Sequence, residues 1–199
     1  MHTPSSPDHH PVGLLLAAGF SRRFGTQNKL LQSLANGERM AVAAARHLIT
    51  ALPQTVAVVR AGEPELVAEL ESLGLSVAVC SDQQQVMADS LKLGLHAALT
   101  AFPQLTGVVI ALADMPHIQP QTIQQVANAL AHHRLAQPVM AGKPGHPVGF
   151  SRALVPALQR LEGDQGARMV LRENQASLWQ VDCEDAGIFK DIDTPADLA

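Results

Sequence analysis

The feature that most constrains this 199-residue chain is a short apolar run that stops at a basic, glycine-containing loop. Val12 to Ala18 carries no polar alternation, and Gly19, Arg22, Arg23, Gly25 and Lys29 follow. A run this short without alternation reads as a strand buried on both faces. Glycine lets a backbone turn sharply and approach a ligand closely. Cationic side chains beside exposed backbone N–H groups hold phosphates. The pattern therefore points to a nucleoside triphosphate site at the carboxyl end of the first strand, where open α/β sheets bind their ligands. An ordinary strand-to-helix turn with solvated arginines is the plainer alternative. A P-loop is excluded, because Lys29 is not adjacent to Gly25 and no Ser or Thr follows it. A dinucleotide fingerprint is excluded too, since position 21 is Ser21 and not glycine.

The rest of the chain alternates. Strands are predicted at 55–59, 75–80 and 106–112, and helices at 38–52, 64–73, 87–100 and 120–133. Short apolar strands separated by helices imply βαβ units, a mostly parallel sheet and right-handed crossovers. The rhythm breaks after Arg134. Short strands at 138–141 and 147–150 read as antiparallel, helices follow at 152–161 and 166–173, and strands return at 178–182 and 187–189. Thr194 and Pro195 read as the cap and first residue of a final helix. The expected fold is a single-domain, Rossmann-like, three-layer α/β/α arrangement with a short antiparallel excursion. Residues 12–134 form the nucleotide-binding part and 135–199 the acceptor part, behind a disordered lead at 1–11.

Composition narrows the function classes. Apolar residues make up 47% of the chain, which suits one sizeable core. A net charge of −4 gives no basic field for nucleic acid. The two cysteines, Cys80 and Cys183, show neither metal spacing nor a disulfide framework, and read as buried free thiols in a reducing cytoplasm. No apolar run approaches a membrane span, and the polar start of the chain lacks a signal-peptide core.

Two acidic points carry chemistry. Asp114 directly follows the strand at 106–112, so it sits at the end of a central strand beside the glycine loop. There its carboxylate suits Mg²⁺, or it caps the turn before Pro116. Asp191 and Asp193 alternate in an extended segment and face one side. Asp193 there could equally do no more than start the final helix.

The segment Leu16-Ala17-Ala18-Gly19-Phe20-Ser21-Arg22-Arg23-Phe24-Gly25, closing on Lys29, resembles the MobA/MocA-like nucleotidyltransferases, which attach CMP or GMP to molybdopterin. Gly145-His146-Pro147-Val148-Gly149-Phe150 and Leu161 to Arg168 resemble segments of the cytidylyltransferase branch, and Asp191-Ile192-Asp193-Thr194-Pro195 resembles the family's closing segment. The resemblance runs from Leu14 to Leu198. It implies a nucleotide-diphospho-sugar transferase-like fold and transfer of CMP from CTP to molybdopterin, with release of pyrophosphate. Leu16, Ala17, Ala18, Gly19, Ser21, Arg23, Gly25, Lys29 and Ser90 would bind nucleotide. Lys29 and Arg23 would be catalytic, acting on the α-phosphate and on the β- and γ-phosphates respectively. Asp114 and Asp193 would hold Mg²⁺, with Asp191 in reserve. Gly145, His146, Gly163, Asp164 and Arg168 would receive the acceptor. The implied partners are CTP or GTP, the molybdopterin cofactor and a molybdoenzyme or its chaperone.

The family's guanylyl branch tends to carry glycine where Ala18 stands, which favours CTP here. Two departures touch presumed binding loops. Pro144, with Lys143 before it, stands where an arginine is common, and Val86 and Asp89 alter the Gly-Met-x-x-Ser-Leu segment. Two rival readings remain: a relative using GTP or a sugar phosphate, and a non-catalytic nucleotide- or cofactor-binding assembly protein. A Rossmann-type oxidoreductase is disfavoured by the missing fingerprint.

Overall fold

Continuous apolar strands need cover on both faces, and the helices of this chain supply it. The computed structural model describes residues 9–19, 28–81, 86–164 and 166–198. Its strands are β1 (Pro11–Ala17), β2 (Thr55–Arg60), β3 (Ser76–Cys80), β4 (Gly107–Leu112), β5 (Leu135–Met140), β6 (Lys143–Pro144), β7 (Val148–Ser151) and β8 (Leu178–Asp182). Its α-helices are α1 (Met40–Ala51), α2 (Pro64–Ser72), α3 (Met87–Ala101), α4 (Pro120–Ala129), α5 (Val155–Gln159) and α6 (Arg168–Glu173).

One sheet runs β3-β2-β1-β4-β7-β5, with β6 and β8 both paired to β5. β1 is parallel to β2 and β4, β2 is parallel to β3, and β5 is parallel to β8. β7 runs against both β4 and β5, and β6 runs against β5. This is the expected mixed sheet with its antiparallel excursion, and it is continuous across residue 134. Alternation along each strand builds two cores. Leu15, Ala57, Val59 and Val109 pack with α1, α2 and α4 on one face. Val12, Leu14, Val58 and Ile110 pack with α3, α5 and α6 on the other. Among the described residues no helix is long and apolar enough to cross a membrane.

The structure corrects several local expectations. Residues 9–11 belong to the fold: Pro11 opens β1, and His9 Nε2 lies 2.8 Å from the Ala127 carbonyl oxygen. Residues 1–8 of the expected lead lie outside the described residues. β5 starts three positions before Pro138, because Leu135 and Ala136 pair with β7 as well as β8. Residues 186–189 form a 3₁₀ turn rather than a strand, since the Asp185 side chain takes the Gly187 N–H. Thr194 does not cap a helix. The Asp197 carboxylate accepts the Asp193 and Thr194 N–H groups and the Thr194 hydroxyl, which closes a single 3₁₀ turn. Cys80 is buried and Cys183 only partly so, and both are free. Trp179 is half exposed and stacks on His133 with ring centroids 4.1 Å apart.

Candidate active site

The parallel strands deliver their chain ends to one edge of the sheet. Past β4, the Ala113 N–H bonds the Leu16 carbonyl, so Asp114 is pinned beside the end of β1. Lys29 opens a 3₁₀ turn, Lys29–Leu31. Asn28 caps that turn by accepting the Leu30 N–H at 3.0 Å, while its amide donates to Glu63 at 2.7 Å. A short polar side chain that bonds its own backbone is what fixes such a turn.

Lys29, Asp114 and Asp193 converge. Lys29 Nζ donates to Asp114 Oδ2 at 2.7 Å, to the Ile192 carbonyl at 3.1 Å and to Asp193 Oδ1 at 3.2 Å. The lysine side chain is 12% exposed, against 24% for Asp114 and 37% for Asp193. Burial alone would lower the Lys29 pKa. Its hydrogen bonds and charge attraction to Asp114, and more weakly to Asp193, outweigh that and hold it above the usual lysine value. Lys29 is therefore a firmly charged ammonium between two carboxylates.

The same carboxylates fit a divalent cation. Asp114 Oδ1 is buried and has no hydrogen-bond partner, so one strong acceptor is left over after Lys29 is satisfied. Among the described residues no cluster of three His, Cys, Asp or Glu could hold a metal unaided. A pair of carboxylates suits Mg²⁺, which keeps several waters and takes oxygens from substrate phosphates.

Gly145 and His146 lie against the 186–192 segment. The His146 N–H donates to the Ile188 carbonyl at 3.0 Å, and the peptide to Pro147 is cis. A Cβ on Gly145 would stand 2.5 Å from the Ile188 carbonyl oxygen, so this glycine permits the close approach of that segment. Burial lowers the His146 pKa, Arg168 lowers it further, and the Asp114 and Asp191 charges pull back against this. Its Nδ1 is buried without a hydrogen-bond partner.

The other expected residues that are described lie on several elements. Leu16 and Ala17 end β1, and Ala18 and Gly19 follow it. Ser21, Arg23 and Gly25 lie outside the described residues. Ser90 donates to the Met87 carbonyl in its own helix. Asp164 accepts the Met87 N–H at 3.2 Å, and the Gly163 carbonyl accepts the Ala88 N–H. Residues 163–164 are thus seated on the start of α3. Arg168 is exposed at the start of α6.

Sequence reasoning passed over Asn28, Arg60 and Asp185. Asn28 carried a signal, an Asx cap just before Lys29. Arg60 carried a weaker one, a lone cation at a strand end; its guanidinium donates to the Ala18 carbonyl at 3.0 Å, just past the end of β1. Asp185 had none beyond its place in a turn.

A family model described as the MobA-like NTP transferase domain matches residues 13–178. Purine catabolism protein PucB of Bacillus subtilis (strain 168) is 32% identical over 196 residues, which is 92% of either chain. Nicotine blue oxidoreductase of Paenarthrobacter nicotinovorans is 27% identical over 192 residues, again 92% of either chain. The crystal structure of Rv0371c from Mycobacterium tuberculosis H37Rv superposes with a TM-score of 0.80. It is 26% identical, with 94% of this chain and 95% of that one covered.

Proposed function

The chain belongs to the MobA-like NTP transferase family, and on that premise we propose that it transfers CMP from CTP to the terminal phosphate of molybdopterin. The family makes it a nucleotidyltransferase; the base, the acceptor and the use of Mg²⁺ are our reading. One observation carries it: the meeting of Lys29, Asp114 and Asp193 at the carboxyl edge of the parallel strands.

In this reading an acceptor phosphate oxygen attacks the α-phosphorus of CTP in line. The new P–O bond forms as the bond to the β-phosphate oxygen breaks, and pyrophosphate leaves. The nucleophile is already ionised, so no general base is required, and the work is positioning and charge balance. Lys29 exchanges a carboxylate for the α-phosphate and neutralises charge as it develops. Asp114 and Asp193 would hold Mg²⁺, which supplies charge neutralisation at phosphate oxygens of both substrates. Arg23 and the 19–25 backbone bind the β- and γ-phosphates. Gly145, His146, Gly163, Asp164 and Arg168 belong to the acceptor side. The Ala18 methyl narrows the space beside the base and favours a pyrimidine.

A redox reading has one point in its favour, the name of the Paenarthrobacter relative, an oxidoreductase. The absent G-x-G-x-x-G fingerprint counts against it. Pyrophosphate release in the presence of molybdopterin and Mg²⁺, with CTP and GTP in parallel, tests the proposal on wild type and Asp114→Ala. Release with CTP alone, lost in the variant, supports it. Release with GTP alone overturns the base assignment. Nucleotide-dependent thermal stabilisation without release identifies a binding protein. Oxidation of NADH in place of release establishes the redox reading.

A further inference from the structure

Asp185 is a buried carboxylate at 9% exposure, outside the Lys29 cluster. Both of its oxygens are in use. Oδ2 accepts the Gln119 N–H at 2.8 Å and the Thr122 hydroxyl at 2.8 Å, and Oδ1 accepts the Gly187 N–H at 2.9 Å. Gln119 and Thr122 belong to the start of α4, the segment that Asp114 leads into. Gly187 opens the segment that ends at Asp193.

That segment is stitched across the site. The Ile188 carbonyl takes the His146 N–H at 3.0 Å, the Ile192 N–H bonds the Asp114 carbonyl at 2.9 Å, and the Ile192 carbonyl takes Lys29 Nζ at 3.1 Å. Gly187 is pressed so closely on the His117 carbonyl that a Cβ there would overlap it. One side chain therefore joins the two stretches of chain that supply the two carboxylates. A negative charge at the start of α4 is also favourable there.

We propose that Asp185 is a positioning residue for the Asp114–Asp193 pair. It sets the separation and orientation of two carboxylates that have no third His, Cys, Asp or Glu beside them among the described residues. This rests on the nucleotidyl-transfer reading for its consequence in turnover, though not for its consequence in cation binding. Asp185 touches neither nucleotide nor cation; it holds the segments that do. Losing an outer partner of this kind typically weakens metal affinity or activity by about 10- to 100-fold.

The test is Mn²⁺ binding, followed by electron paramagnetic resonance, with and without CTP, alongside steady-state kinetics. Wild type is compared with Asp185→Asn and with Val170→Ala, a cavity variant in α6 chosen to lower the melting temperature comparably. Asparagine must turn its NH₂ toward one of the two donor sets, so one tie breaks while size is kept. The expected result is Mn²⁺ binding at least tenfold weaker in Asp185→Asn. Its kcat falls while KM for CTP stays within about twofold, a split that marks positioning rather than ground-state binding. Val170→Ala binds Mn²⁺ as wild type does. Wild-type Mn²⁺ affinity in Asp185→Asn, with only a lowered melting temperature, overturns the proposal. If wild type releases no pyrophosphate but Asp185→Asn still binds Mn²⁺ more weakly, the positioning role stands and the transfer reaction fails on its own.

Discussion

Lys29 Nζ stands 2.7 Å from Asp114 Oδ2 and reaches Asp193 as well, so an ammonium occupies the space between the two carboxylates that suit a cation. Two positive charges cannot share that space cheaply. On the proposed reading, Lys29 and a divalent ion would compete for the carboxylates, and the oxygens of a bound triphosphate would satisfy both cations.

Removing the ammonium should free the pair. In Lys29→Met, Mn²⁺ binding without nucleotide is expected to tighten by about tenfold or more, because charge-assisted hydrogen bonds of this kind contribute about 1.5–3 kcal/mol each. Turnover in the same variant should fall by about 10²–10³-fold, as for other lost charge-stabilising donors. Calorimetric titration with Mn²⁺ reads the first effect. Weaker binding in the variant would mean that Lys29 organises the carboxylates rather than competing for them.

Asp164, which resemblance places with the acceptor, also accepts the Met87 N–H on its Oδ1 at the start of α3. An N-terminal donor without its cap costs about 1 kcal/mol. Asp164→Ala should therefore lower the melting temperature by about 2–4 °C for a chain of this size. Asp164→Asn, which keeps an acceptor oxygen, should recover most of the loss. Circular dichroism melts decide it: no loss in the alanine variant would remove the capping role.

The strands were legible because burial on both faces writes an uninterrupted apolar run, as in Val12 to Ala17. The final strand, β8, is legible in full at 178–182, and its neighbour β5 in outline only. Leu135 and Ala136 fall between the predicted helix at 120–133 and the predicted strand at 138–141, and it is β7 and β8 on either side that make them a strand. The 187–189 segment was misread because its conformation follows from Asp185, whose partners in α4 lie more than sixty positions away. The site was half legible. Lys29 and Asp114 are legible by residue type and place after a strand, and Asp193 by resemblance, but Lys29 and Asp193 are 164 positions apart and only the sheet brings them together. Resemblance places Asp164 and Ser90 at the substrates, but a motif does not show the contacts that both side chains make with the Met87 backbone.

Gly94 sits inside α3, where glycine costs the helix about 1 kcal/mol relative to alanine. A Cβ there would stand 2.5 Å from Leu14 Cδ1 and 2.6 Å from Val58 Cγ2, both in the buried sheet. Overpacking a core costs about 1–3 kcal/mol, which exceeds the gain in helix propensity. Gly94→Ala should therefore be destabilising by up to about 2 kcal/mol, and Gly94→Val more so. Urea denaturation measures this, and a stabilised alanine variant would show that Leu14 and Val58 can move aside.

His146 ties the site to pH. Its folded pKa lies below the ordinary 6.5, chiefly through burial, with Arg168 adding to the effect and Asp114 and Asp191 opposing it. The folded state therefore binds this proton less readily than the unfolded chain, and stability rises with pH between the two values. Stability is complete well above pH 6.5. It begins to be lost as pH falls through that value, and the loss is complete below the depressed folded pKa. His146→Gln removes the titration and leaves the other groups in place. Urea midpoints measured from about pH 7.5 to pH 5 should fall more steeply for wild type than for the variant. Parallel curves would mean that the folded protein accommodates a charged imidazole beside Asp114 at no cost.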